Sequence, residues 1–264
     1  MEQPRALCNG NLPTHSVVSI AECHSYDDEV VYEACRQLLI PLGGMRQFVH
    51  RGDVVLLKPN MLAIASPEEA ATTHPAVLRA LIRLVRECGG KPIIADSPAF
   101  GTLMQVAEAT GIAALCHEMD VPLDTWHSTA HLVHPLDVSW SLLTGREAME
   151  VDVIINVPKF KTHVQVGFSG AVKNMFGCVP GKRKAWLHMT VGSSEQKFAR
   201  MLLGYYLALK PRLTIVDAIV AMHGNGPRKG TPYPLKMLLA STDAVALDVT
   251  LAMLINIPQS HQLV

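Results

Sequence analysis

The chain concentrates its chemistry in one stretch, Asn156 to Lys184, NVPKFKTHVQVGFSGAVKNMFGCVPGKRK. Lys159, Lys161, Lys173, Lys182, Arg183 and Lys184 fall there, with His163 inside it and His188 just beyond. No Asp or Glu occurs from Val153 to Ser194. The whole chain of 264 residues balances 23 Lys and Arg against 23 Asp and Glu, so this run is a local positive field suited to a phosphate, nucleotide or carboxylate. The other reading, a solvated basic loop, sits poorly with the interleaved Phe160, Val164, Val166, Phe168, Met175 and Phe176. A lysine desolvated beside other cations loses basicity, which makes Lys173 a candidate nucleophile or covalent anchor. His163, between a basic pair and a glycine loop, is a candidate general base.

The run GFSGAVKN adds geometry. Gly167 and Gly170 let the backbone approach a ligand, Ser169 is placed to cap a following helix, and the free N–H groups of that helix favour an anion. Lys173 falls about one turn in, with Asn174 beside it. The run is not the GxxxxGK[ST] phosphate loop and is weak as a motif. A second glycine-rich segment, MHGNGPRKGTP (222–232), either offers His223 and Asn225 as a further wall or is a plain hairpin loop.

Such a site needs a scaffold. SVVSIAEC (16–23), GDVVLLKPN (52–60), KPIIADSP (91–98) and VDVIINV (151–157) read as strands, and the unalternating VVLL suits a strand covered on both faces. DDEVVYEACRQLL (27–39), HPAVLRALIRLVRECGG (74–90) and TLMQVAEATGIAALCHEM (102–119) read as helices, the last broken near Gly111. Pro75 opens the second and Gly89-Gly90 closes it. SSEQKFARMLLGYYLAL (193–209) is a Ser-capped helix with a wide apolar face. RLTIVDAIVAM, LKMLLAS and DAVALDVTLAMLI give a strand, a strand and a helix capped by Asp243. The order predicts an α/β fold, a mostly parallel sheet covered by helices. Residues 121–150 depart from it as an antiparallel excursion or lid. Their His127, His131 and His134 are either metal ligands without fixed geometry or ordinary surface histidines. One domain over 1–264 is expected, with two α/β lobes (about 1–150 and 151–264) as a finer division. The stop just after a helix suggests a lost C-terminal module or an ordinary terminus.

Parallel sheets bind ligands beyond the carboxyl ends of their strands. Lys58, Asn60, Asp96, Asn156, Lys159 and Asp217 stand at such ends, and Thr73 joins the predicted lining. Turn chemistry explains any one of them equally well; their succession favours a site. The expected binding set is Lys58, Asn60, Thr73, Asp96, Asn156, Lys159, Lys161, Ser169, Gly170, Asn174, His223 and Asn225, around His163 and Lys173.

Composition excludes several classes. Hydrophobic residues make up 49% and charged ones 17%, as in a folded globular chain. Zero net charge argues against a general nucleic-acid binder. No apolar run reaches the length of a membrane span, and the first residues lack the pattern of a signal peptide, so a cytoplasmic protein is expected. The six cysteines, Cys8, Cys23, Cys35, Cys88, Cys116 and Cys178, form no CxxC pair, which fits neither a zinc site nor an intrinsic iron–sulfur cluster.

The stretches VVLLKPNM, ATTHPAVLRALI, VDVIINVPKFKTH, GFSGAVKNMFG, IVDAIVAMHGNGP and STDAVALD resemble domain-of-unknown-function family 362, and span most of 52–250. The resemblance implies association with iron–sulfur proteins and thus a ferredoxin-like protein partner, although this chain lacks the CxxCxxC spacing of such a module. The basic stretch also resembles the matching region of nickel-dependent lactate racemase, in His163, Phe168-Ser169-Gly170-Ala171, Lys173, Pro180-Gly181 and His188. That likeness implies Lys173 as the anchor of a nickel-pincer nucleotide, His188 as a metal neighbour and His163 as the acid/base. A second acid/base histidine of the racemase is replaced here by Asp96-Ser97-Pro98. The expected function is binding of an anionic organic cofactor or substrate, in a racemase- or isomerase-like enzyme. The alternatives are a redox accessory of an iron–sulfur module and a non-catalytic anion-binding module.

Overall fold

The computed structural model describes residues 15–256, apart from 165, 182, 192 and 193, and only the backbone of Thr190. Cys8 and Lys182 therefore lie outside the described residues. In chain order the elements open with β1 (Ser19–Glu22), α1 (Asp28–Leu39), β2 (Val54–Pro59), α2 (Pro75–Glu87), β3 (Lys91–Ala95), α3 (Leu103–Ala109), α4 (Ile112–Glu118) and β4 (Leu123–Asp124). A hairpin of β5 (Thr129–His134) and β6 (Asp137–Gly145) follows, then α5 (Glu147–Glu150), β7 (Val153–Val157), β8 (Lys159–His163) and β9 (Gly167–Ser169). The rest is α6 (Ala171–Asn174), α7 (Arg183–Thr190), α8 (Glu195–Leu209), β10 (Leu213–His223), β11 (Thr231–Tyr233), β12 (Met237–Ser241) and α9 (Ala244–Leu254).

The helix ends follow local chemistry. Asp27 caps α1 by accepting from the Glu29 and Val30 amides, and His74 Nδ1 accepts from Ala76 N ahead of Pro75, the first residue of α2. Gly111, at φ +76°, separates α3 from α4, as a left-handed residue must.

The main sheet runs β1-β12-β10-β7-β2-β3-β4. The stretch from β10 to β4 is parallel, and β1 and β12 add an antiparallel edge. Strands from before and after residue 150 share one sheet, since β7 pairs with β2 and β1 pairs with β12. Alternate side chains of each strand feed opposite cores. Val55, Leu57, Val153, Ile155, Leu213 and Ile215 join the layer under α1, α2, α3 and α4, whereas Leu56, Ile154 and Val216 join the layer with α6, α8 and α9. This double coverage explains why VVLL reads as unbroken hydrophobe. The excursion after β4 is the antiparallel β5–β6 hairpin, held in register from Thr129 opposite Gly145.

Candidate functional site

After β7 the chain turns at Pro158 into β8, which pairs with β10 and then folds back on β9. His163 thus ends a strand rather than lying in a strand-to-helix loop. Residues two apart on a strand share a face, so Lys159, Lys161 and His163 form one row of basic groups. The loops after β2 and β3 meet that row, and α6 and α7 close over it. Between them lies a cavity of about 690 Å³. His163, Lys173 and His188 all line it, as do Asn60, Asp96 and Asn174.

The other predicted residues serve the cavity from outside its wall or stand apart. Lys58 is fully buried and pairs with Asp96 at 2.9 Å, while the Asp96 oxygens also accept from Ser97 N and Met61 N, each at 2.8 Å. Lys161 donates to Asn60 Oδ1 at 2.8 Å and to the Ala71 carbonyl. Asn60 donates to Asn174 (3.0 Å), Asn174 to Asn156 (2.8 Å), and Asn156 to the Ala171 carbonyl (2.8 Å). This row of amides ties β2 and β7 to α6 and leaves Asn156 wholly buried. Thr73 accepts from Asn60 N and donates to Val157 O, so it orders the lining without joining it.

Four expectations are corrected. Lys159 does not line the cavity: its ammonium is buried against Asp217 at 3.0 Å and the Tyr26 hydroxyl at 2.7 Å. Ser169 makes no cap. The first amides of α6, Ala171 N and Val172 N, are taken by the Asp248 carboxylate at 2.6 and 3.0 Å. Gly170 is small for the same reason, since a Cβ there would lie 2.1 Å from Asp248 Oδ1. The glycine run therefore receives an internal anion. His223 and Asn225 are exposed and absent from the wall; the same loop instead contributes Pro227 and Arg228. Of the candidate metal histidines, His134 is buried with Nε2 on the Arg200 carbonyl and Nδ1 accepting from Leu136 N. His127 pairs with Asp124 and His131 with Ser141. Among the described residues no cluster of three or more His, Cys, Asp or Glu is arranged to hold a metal ion.

The sequence reading missed Lys184 as a wall residue, although it lies in the basic stretch. It is buried and donates to the Ser97 carbonyl. Gly181 N donates to Ser97 Oγ at 3.0 Å, which fastens the start of α7 to the β3 loop. Arg228 was legible only as part of a loop.

Electrostatics follow from this crowding. Burial, then the Lys184 charge, lowers Lys173 to about 8, and burial lowers Lys184 to about 8 against the opposing pull of Asp96. Burial, then Lys173, His188 and Lys161, drives His163 down to about 2. Burial with Lys173 and Lys184 takes His188 to about 4. Lys161 also falls well below its ordinary value, chiefly by burial. Both lining imidazoles are neutral at pH 7, and Lys173 has no hydrogen-bond or ion-pair partner among the described residues. Asp96, the one carboxylate on the described wall, is already matched by Lys58. Asp96→Asn should therefore cost about 3–5 kcal/mol of stability by leaving Lys58 buried without a counter-charge, read as a fall in the urea midpoint.

Comparison with known proteins agrees with this architecture. The chain is 44% identical over 231 residues to the thylakoid-associated protein sll1697 of Synechocystis sp. (strain ATCC 27184 / PCC 6803 / Kazusa), covering 88% of this chain and 72% of that protein. Its fold is similar to that of the lactate racemase apoprotein from Thermoanaerobacterium thermosaccharolyticum, with a TM-score of 0.51 at 13% identity. The match covers 87% of this chain and 55% of the racemase, so this chain spans about half of that protein. No described helix is long and apolar enough to cross a membrane. The family model described as "Domain of unknown function (DUF362)" matches residues 55–253, and the chain belongs to that family.

Proposed function

We propose that the cavity binds an anionic organic ligand, with Lys173 as its principal charge partner and His163 as the group that exchanges a proton with it, in an isomerase-like reaction. One observation carries the reading: His163, Lys173 and His188, from a strand and two helices of the basic stretch, share a wall with Lys184, and the described wall offers no unmatched carboxylate. The anion is the missing counter-charge. Without an anion at Lys173, His163 is a weak base, because burial and then the neighbouring Lys173 charge oppose its protonation. An anion seated at Lys173 offsets that field and raises the basicity of the imidazole when substrate is present.

The racemase likeness implies a nickel-pincer nucleotide, and the residues present fit its attachment. Lys173 is an amine with lowered basicity and no hydrogen-bond or ion-pair partner among the described residues, and His188 offers an imidazole on the same wall. With the group attached, Lys173 would serve as its anchor instead of as a free ammonium, Lys184 would remain as a cation on that wall, and His188 would be the protein ligand of the metal. Such a group would supply a metal centre beside the bound anion. A reducing compartment such as the cytoplasm suits the described cysteines, all free thiols.

Native mass spectrometry of freshly purified protein tests the reading. A retained anion or an adduct on Lys173 supports it. A bare chain that also fails to bind carboxylates in calorimetry overturns it. The pH dependence has a defined sign: both lysines are charged below about pH 8, so affinity for a carboxylate should be highest there. It should fall by up to about tenfold per pH unit above it for each proton that binding requires.

A further inference from the structure

The positive end of the cavity lies inward, and its mouth is hydrocarbon. Lys184 is buried and Lys173 half-buried. Met61, Leu62, Phe176 and Pro227 line the walls, and Phe100 and Val164 at the mouth are 51% and 79% exposed. Large apolar side chains left in water around a concavity mark a surface meant to be covered. Arg228 lies over Phe100, its guanidinium carbon 4.4 Å from the ring centre, and this weakly hydrated cation extends the platform instead of breaking it. A cavity of about 690 Å³ falls in the range that encloses drug-sized ligands. A three-carbon hydroxy acid would occupy the cationic end and leave the apolar walls against water.

We propose that the ligand is an organic acid with a hydrocarbon body well beyond three carbons, its carboxylate turned inward to Lys173 and Lys184 and its apolar part laid along Phe176, Phe100 and Val164. This rests on the cavity being an anion site and specifies which anion it takes. Phe100 and Val164 are then the residues that set specificity. Both are exposed, so replacing them leaves the core intact.

Calorimetric titration of the purified protein with acetate, L-lactate, hexanoate and octanoate tests the assignment. Each buried CH2 is worth about threefold to fourfold in affinity, so hexanoate should bind at least tenfold more tightly than acetate, with lactate close to acetate. Phe100→Ala and Val164→Ser should flatten the series, lowering octanoate affinity several-fold more than acetate affinity, whereas Lys173→Met should weaken all four acids. Equal, Lys173-dependent affinities across the series overturn the apolar-acid inference and leave the anion site standing. A rise with chain length that neither Phe100→Ala nor Val164→Ser reduces also overturns it. Loss of Lys173-dependent binding altogether removes the anion site itself.

Discussion

Lys173→Met should lower the affinity of the cavity for carboxylates by about tenfold to a hundredfold, the equivalent of one charge-assisted hydrogen bond worth about 1.5–3 kcal/mol. The fold should survive, because α6 is held by Asp248 and by the amide row rather than by Lys173. A second readout belongs to the electrostatics alone. After burial, the Lys173 charge contributes most to depressing both His163 and His188, so removing it should raise both imidazoles, measured by NMR titration of their ring protons. Lys173→Arg separates two roles of the amine. Arginine keeps the charge but cannot act as an amine nucleophile or anchor, so it should retain carboxylate binding while losing any covalent adduct. Unchanged carboxylate affinity in Lys173→Met would sink the proposed site.

Asp248→Ala should destabilise the protein by about 2–4 kcal/mol, because two buried amides at the start of α6 lose their acceptor. For a chain of this size the melting temperature should fall by roughly 5–15 °C. The pH dependence supplies an independent check. Burial raises Asp248 to about 7 in the folded state, against the ordinary carboxylate value of 3.8. The folded protein therefore holds a proton that the unfolded chain releases between about pH 4 and 7, and this group's contribution to stability declines as pH rises through that window. Asp248→Asn removes the titration, so its stability should be flatter than wild type over the same range in chemical denaturation. An unaltered slope would show that Asp248 is not the group responsible.

The strands and helices of the α/β scaffold were legible because burial leaves its mark in single stretches: VVLL is covered on both faces, and Pro75 and Gly111 mark a helix start and a break. The cavity was legible in part for the same reason. His163, Lys173 and His188 are close enough in sequence for spacing and charge to single them out. What remained hidden depends on partners far along the chain. Nothing near Lys159 shows that Asp217 neutralises it, 58 residues away. Nothing in GFSG shows that Asp248 on α9 fills the helix start, 77 residues beyond Ala171. A short glycine run before a helix reads the same whether the anion it receives is a ligand or a carboxylate of its own chain. Arg228 escaped because its role is set by stacking on Phe100, a contact between two loops.

The order of strands bears on how the chain is made. β2 and β3 leave the ribosome early, yet β7, the neighbour that covers the β2 edge, is synthesised more than ninety residues later, and β10 beyond it later still. β1 waits longer still, since Ser19 pairs with Ala240. During synthesis the growing chain must carry an apolar, unpaired strand edge with only α1, α2, α3 and α4 to shelter one face of it. Long-range pairing of this kind slows folding and exposes intermediates to aggregation. Expression yield should therefore respond to chaperone supply and to the temperature of synthesis more than the stability of the finished protein would suggest.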